Sequence, residues 1–196
     1  MVAILNNIKS GKLDCDAAVV ISDNKDAAGL KKAAEFGVPV RTVEFKNKKQ
    51  FNNELIELLN QFNVDYVALA GFMRVVSHEF VSAFENRILN IHPALLPSFK
   101  GLEAQTQALN AGVKIAGCTV HFVTDDLDGG PIIMQAAVPV SSSDTCKSLS
   151  ERILKLEHII YSRAIELLIK DKLEIKSGRV MIKDENIDPE QFIIVP

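Results

Sequence analysis

The sequence predicts an α/β fold: an open, mostly parallel sheet with helices on both faces, then antiparallel strands and a small hairpin toward the C terminus. Two patterns predict it. Over the first two-thirds of the chain, short apolar runs of strand length alternate with amphipathic stretches whose apolar residues recur every three or four positions, as in a sheet crossed over by helices. Further on, two apolar runs follow one another across the acidic, glycine-bearing segment TDDLDGG, and a long helical pattern comes after them.

Each element has its own signal. Val2–Lys9 (VAILNNIK) reads as a helix, and Asp16–Ser22 (DAAVVIS) as a strand. Asp26–Phe36 is helical in period and stops at Gly37. Val38–Val43 is a second strand. In Lys48–Phe62 the residues Phe51, Leu55, Leu58, Leu59 and Phe62 share a helix face. Asp65–Ala70 is apolar throughout, as expected of a strand covered on both faces. Ser77 caps a short helix over Ser77–Phe84, and Arg87–Ile91 is a strand ending at His92-Pro93. Glu103–Asn110 is a helix stopped by Gly112, and Lys114–Val123 and Pro131–Val138 are strands. Ser143–Lys170 is the longest helix, opened by a Ser/Asp signal. Leu173–Ile175 and Arg179–Ile182 form a hairpin around Ser177-Gly178. Without repeats or linkers, the 196 residues make a single domain.

Composition narrows the function classes. Hydrophobic residues are 47% and charged residues 24%, the balance of a globular protein. With 22 basic and 25 acidic side chains the net charge is −3, which argues against a nucleic-acid surface. The longest apolar runs fall far short of the ~18 residues of a membrane span. Cys15, Cys118 and Cys146 are odd in number and have no CxxC spacing, so the expectation is a reducing cytoplasm without a disulfide framework or zinc. The N terminus lacks the order of regions found in a secretion signal.

Three segments could carry chemistry. In Asn90-Ile91-His92-Pro93-Ala94-Leu95-Leu96-Pro97, residues 90 and 92 point to one side at the carboxyl end of a strand, where open α/β sheets bind ligands. An imidazole there serves as general acid or base, and a carboxamide as an oxyanion donor. A histidine satisfied by backbone is the alternative. In Thr124-Asp125-Asp126-Leu127-Asp128-Gly129-Gly130-Pro131, three carboxylates adjoin a Gly-Gly turn, either a ligand loop or a plain acidic turn. A calcium loop fails there, because Gln135 stands where a bidentate Glu is needed. Gly71-Phe72-Met73-Arg74 suits a flat apolar ligand with an anionic tail, or plain core filling. Ser10-Gly11-Lys12 lacks the spacing of a phosphate loop, and His78, His121 and His158 lack metal spacing.

In this order and at these separations, GFMR, LNIHPALLPSFKG and HFVTDDLDGGPI closely resemble the phosphoribosylglycinamide formyltransferase family of the formyl-folate transferase superfamily, from about residue 3 to about residue 183. The resemblance implies a Rossmann-like fold with a nucleotide-binding half over 1–90 and a folate and catalytic half over 91–196. It implies transfer of formyl from 10-formyltetrahydrofolate, as co-substrate, to the amine of glycinamide ribonucleotide, without metal, nucleic acid or membrane, in a monomer or homodimer. Asn90, His92 and Asp128 match its catalytic trio. Met73, Arg74, Val75 and Val76, with Asn90 and with Thr124, Asp125, Asp126, Leu127 and Asp128, match the folate site. Lys48 falls where the family often has an arginine near the folate tail, which retains a cation and loses the bidentate fork. Leu154, Lys155, Leu156 and Glu157 match the nucleotide segment, with Glu157 as the carboxylate that holds the glycinamide end.

The residue types fit that chemistry. As an amine attacks the formyl carbon, the carbonyl oxygen gathers negative charge, which Asn90 and a protonated His92 can stabilise by ~3–4 kcal/mol per well-aimed donor. Asp128 would favour the charged imidazole and relay a proton through water to the departing folate nitrogen. The family's first strand and phosphate-binding turn are not matched, and the expectation is that about a dozen residues, one strand and its turn, precede Met1 in the natural gene. The rival functions are a deformylase, which passes formyl to water; an initiator-tRNA formyltransferase, which would add a domain and a basic surface; and a folate-binding remnant without catalysis.

Overall fold

The computed structural model describes residues 1–183; the domain expectation for 184–196 lies outside the described residues. The chain divides into two compact units, Met1–Leu89 and Asn90–Pro196.

The first unit contains α1 (Val2–Lys9), β1 (Val20–Ser22), α2 (Ala28–Glu35), β2 (Val40–Thr42), α3 (Lys48–Gln61), β3 (Val67–Leu69), α4 (His78–Ala83) and the first residues of β4 (Ile88–His92). β1 and β2 pair in parallel from Val20↔Val40 to Ser22↔Thr42, with α2 as the crossover between them. Leu30 and Ala33 are the residues of α2 that its amphipathic period buries. In α3, Phe51, Leu55 and Leu59 are buried at four-residue intervals, as the spacing predicts. The Asn47 side chain accepts the Gln50 N–H at its start. Buried Asn52 locks α3 to the next helix: its Nδ2 donates to the Lys48 carbonyl (2.7 Å), and its Oδ1 accepts the Ser77 N–H (3.0 Å). Ser77 in turn caps α4 by accepting the Phe80 N–H.

β1, β2 and β3, of three residues each, are shorter than the runs Asp16–Ser22, Val38–Val43 and Asp65–Ala70, the flanking residues lying in loops. Coverage also differs. β3 is the end strand of its sheet, and Ala68, Ala70 and Tyr66 are exposed, so the apolar run Asp65–Ala70 is not covered on both faces.

In the second unit the end of β4 is followed by α5 (Ala104–Asn110), β5 (Ile115–Phe122), β6 (Ile132–Pro139), α6 (Cys146–Ile169), β7 (Leu173–Lys176) and β8 (Arg179–Ile182). β4 lies next to β5, and β5 next to β6. β5 and β6 are antiparallel from Ile115↔Pro139 to His121↔Ile132, with a register shift between Val120 and His121. Apart from Ile115, every residue of β5 is buried. α6 packs on β5 and β6 through Leu149, Ile153, Ile160 and Ala164, a face of helical period. Its cap is Thr145, in a capping box with Ser148, and so lies further along than the Ser/Asp signal suggests. Arg152 forks onto Asp144 (2.7 and 2.8 Å) and reaches the Pro139 carbonyl, joining the helix to the end of β6.

β7 and β8 form the predicted hairpin, and Ser177 and Gly178 both take the positive φ that such a turn requires. The α/β class, the parallel strands with a crossover helix and the antiparallel C-terminal strands are those the sequence pattern predicts. Among the described residues no helix is long and apolar enough to cross a membrane.

Candidate active site

Asn90 and His92 share one side of the end of β4, Asn90 half-buried and His92 4% exposed. The loop that follows is clamped from β5 and β6. Fully buried Thr119 donates its Oγ1 hydrogen to the Ala94 carbonyl (2.7 Å) and accepts the Leu96 N–H (3.0 Å). Gln135, its register partner across the two strands, donates Nε2 to the Leu96 carbonyl and to Thr119 Oγ1, each at 3.0 Å.

The loop then folds back onto His92, whose Nε2 donates to the Phe99 carbonyl at 2.8 Å. Phe99 (φ 55) and Glu103 (φ 56), on either side of Gly101 (φ 79), hold left-handed backbone that costs strain at a non-glycine residue, a feature found at functional loops. The Gly101 N–H donates to Asp128 Oδ2 at 2.9 Å. That same oxygen lies 3.4 Å from His92 Nδ1. Both ring nitrogens of His92 therefore face oxygens that only accept. His92 is also satisfied by protein oxygens, which was the alternative its sequence context allowed.

The second oxygen of Asp128, Oδ1, faces a residue that the sequence reading weighed only as a metal ligand. His121 is 2% exposed; its Nε2 lies 3.7 Å from Asp128 Oδ1 and 3.3 Å from Asn90 Nδ2, and its Nδ1 lies 2.9 Å from the Phe122 carbonyl. Burial drives the His121 pKa down, with His92 and Lys100 acting in the same direction, and this outweighs the opposing pull of the Phe122 carbonyl and Asp128. A signal for His121 was present in the sequence. Thr119 and His121, two residues apart, are the polar pair on one face of an otherwise apolar, fully covered strand.

Asn90, His92 and Asp128 thus converge, with His121 closing the network. The arrangement offers a carboxamide donor, an imidazole donor and a carboxylate able to exchange a proton, the set needed to support a tetrahedral oxyanion. Among the described residues no group of three His, Cys, Asp or Glu is placed to hold a metal ion.

Comparison with known proteins gives this geometry a family. A model described as formyl transferase matches residues 1–165. The chain belongs to the formyl transferase family. It is 37% identical to phosphoribosylglycinamide formyltransferase of Escherichia coli K12 over 193 residues, 97% of this chain and 91% of that protein. It is 42% identical over 182 residues to the trifunctional purine biosynthetic protein adenosine-3 of Bos taurus, covering 91% of this chain and 18% of that one. The chain thus spans about a fifth of the length of the trifunctional relatives. Among solved structures, glycinamide ribonucleotide transformylase 1 of Symbiobacterium toebii superposes with a TM-score of 0.91 at 51% identity, over 93% of this chain and 87% of that one.

In this formyl transferase family member the remaining site residues fall into three places. In the acidic loop Thr124 is half-buried and Asp125, Asp126 and Leu127 are exposed. Gly129 is obligatory in that loop: a Cβ there would lie 2.7 Å from Asp126 Cβ and 3.4 Å from Lys100 Nζ.

In the first unit, Met73, Arg74 and Val75 are exposed and Val76 half-buried. The Arg74 guanidinium is held by Asp23 and lies 3.9 Å over the Phe45 ring, beside the Phe45, Phe51 and Phe72 cluster. Lys48 is exposed on the first turn of α3.

On α6, Leu154 and Lys155 are exposed and Leu156 and Glu157 half-buried. Glu157 continues the buried face four residues beyond Ile153, a carboxylate among apolar neighbours, and burial raises its pKa. Burial, and then the charge of Glu157, push the Cys118 thiol up to about 12, so Cys118 is not a nucleophile.

Proposed function

We propose that this chain transfers the formyl group of 10-formyltetrahydrofolate to the amine of glycinamide ribonucleotide, a step of purine biosynthesis, by direct attack through a tetrahedral intermediate. The observation that carries the reading is the convergence of Asn90, His92 and Asp128 on one buried network. The reading is further supported by the E. coli relative, a phosphoribosylglycinamide formyltransferase matched over 91% of its length.

The amine nitrogen forms a bond to the formyl carbon, and the carbonyl electron pair moves onto oxygen. Asn90 gives one Nδ2 hydrogen to His121 and keeps the other for that oxyanion. His92 supplies a second donor by turning Nε2–H from the Phe99 carbonyl. Asp128 accepts the proton lost by the amine through water and returns it to N10 of the folate as the carbon–N10 bond breaks. The attack is direct, without a formyl-enzyme: the buried Cys118 thiol, pushed up to about 12, stays protonated at neutral pH.

The segments that match the family's folate site are Lys48 and Met73, Arg74, Val75 and Val76 in the first unit, and Asn90 and Thr124 to Asp128 in the second. The nucleotide is held by Leu154 to Glu157, with the Glu157 carboxylate on the ammonium end of glycinamide. The protein works on small molecules alone, as a monomer or homodimer, in the cytoplasm, where thiols such as those of Cys15, Cys118 and Cys146 stay reduced.

The test is release of deformylated folate by absorbance, with and without glycinamide ribonucleotide. Nucleotide-dependent release with stoichiometric formylated nucleotide is the expected result. Release at the same rate without nucleotide would make the chain a deformylase, and folate binding without release would make it a remnant.

A further inference from the structure

We propose that His121 is a positioning residue for the transfer, one that fixes which end of the Asn90 carboxamide faces the reacting carbonyl. The inference rests on the formyl-transfer reading above and adds to it a group that the catalytic trio omits.

A carboxamide is nearly symmetric in shape, so a half-turn exchanges its oxygen and nitrogen with little change in packing. The two orientations are opposite in effect, because nitrogen turned to an oxyanion donates and oxygen turned to it repels. Something fixed must choose between them. The choice follows from the far side of the His121 ring. Nδ1 lies 2.9 Å from the Phe122 carbonyl, which has only lone pairs, so Nδ1 carries a hydrogen. In a ring with one proton, Nε2 is then an acceptor, and the group it meets at 3.3 Å must be an N–H, namely Asn90 Nδ2. The second Nδ2 hydrogen is left pointing away from His121.

The setting holds that state. His121 is 2% exposed, and the charged or titratable groups around it are Asp128, His92 and Lys100. The β5–β6 register shifts beside His121 with Ile133 as the extra residue on β6, so β5 itself runs uninterrupted to His121. A second proton would undo the arrangement twice over. Nε2 would become a donor that turns the Asn90 oxygen toward itself, and it would draw Asp128 Oδ1, 3.7 Å away, from the pairing with His92. The network therefore requires a neutral His121 beside an His92 whose two nitrogens both face acceptors.

Two measurements on the full chain test this. In long-range proton–nitrogen NMR of the native protein, His121 is expected to carry its single hydrogen on Nδ1 from pH 6 to 8. A hydrogen on Nε2, or a doubly protonated ring at pH 7, overturns the proposal whatever the enzyme assay gives. In kinetics, His121→Phe, which keeps the volume and loses the acceptor, is expected to lower kcat by about 10- to 100-fold with KM for both substrates within about twofold. His121→Gln, which can present an acceptor oxygen to Asn90, recovers about tenfold of that loss. In an Asn90→Ala background His121→Phe costs nothing further. Equal losses in both backgrounds, or no recovery with Gln, would show that His121 only supports the fold. A native chain that transfers no formyl group fails the functional reading instead, and the NMR result then decides the proposal alone.

Discussion

Thr119→Val separates the clamp on the catalytic loop from the chemistry that loop carries. The two side chains are nearly the same shape, and residue 119 has no exposed surface, so the change exchanges a hydroxyl for a methyl in a dry site. The Ala94 carbonyl loses its donor at 2.7 Å and the Leu96 N–H loses its acceptor at 3.0 Å, whereas Gln135 keeps the Leu96 carbonyl. Two stranded backbone groups cost about 1–3 kcal/mol each, and the methyl returns about 0.8 kcal/mol. The balance is a loss of about 1–5 kcal/mol, which for a chain of this size lowers Tm by roughly 2–20 °C. His92 lies at the start of the clamped loop, so kcat/KM is expected to fall by about 10- to 100-fold as the imidazole loses its placement. Calorimetry and the absorbance assay on one preparation measure both. A stability loss below about 0.5 kcal/mol would refute the reasoning, because it would mean that the two backbone groups find other partners at no cost.

His92→Ala is expected to lower kcat by about 100-fold or more with folate KM little changed, measured in steady state. Asp128→Asn keeps the fold, since Asn can accept the Gly101 N–H, but it depresses kcat and alters the pH profile; an unaltered profile removes Asp128 from the proton path. For Glu157 the pKa is raised in the folded protein, so the folded state binds the proton more tightly than the unfolded state does, and the charged carboxylate costs stability as pH rises above its ordinary value of 4.5. Glu157→Gln should therefore raise Tm by a few degrees at pH 7 and leave it unchanged at low pH, while weakening nucleotide binding. With its pKa pushed up to about 12, Cys118 should resist alkylation at pH 8 in the native protein, whereas exposed Cys146 reacts; mass spectrometry of the labelled peptides reads both.

The fold was legible where periodicity and capping agree. Phe51, Leu55 and Leu59 wrote α3, Ser77 wrote the start of α4, and Ser177-Gly178 wrote the last hairpin. Asn90 and His92 were legible as one side of a strand end, whereas Asp128 was one of three carboxylates in a glycine-bearing acidic turn and was singled out only by the family resemblance. Strand coverage was not legible, because an apolar run such as Tyr66–Ala70 reports what a segment could bury and its place in the sheet decides what it does bury. The role of His121 was hidden for a different reason. It depends on a partner 31 positions away, which the polar pair Thr119 and His121 does not announce. Arg74 shows the same limit, since nothing near it in sequence announces Asp23 as its partner.

Asp128 adopts a φ of 46°, in the region that glycine, asparagine and aspartate occupy most readily. Two independent selections meet at that position. The backbone favours glycine, asparagine and aspartate, the proton path admits acids, and aspartate is the member common to both sets. Glutamate, the usual conservative exchange, satisfies the second requirement and meets the first only at a cost in strain, as Glu103 does at φ 56°. The length of the loop between Thr124 and Gly130 is constrained for the same reason: adding or removing one residue moves the left-handed turn onto a neighbour and leaves a carboxylate of the right chemistry aimed in the wrong direction. A library randomised at 128, selected for growth without purines, should return aspartate far more often than glutamate, and a library of loop lengths should return only the parental length.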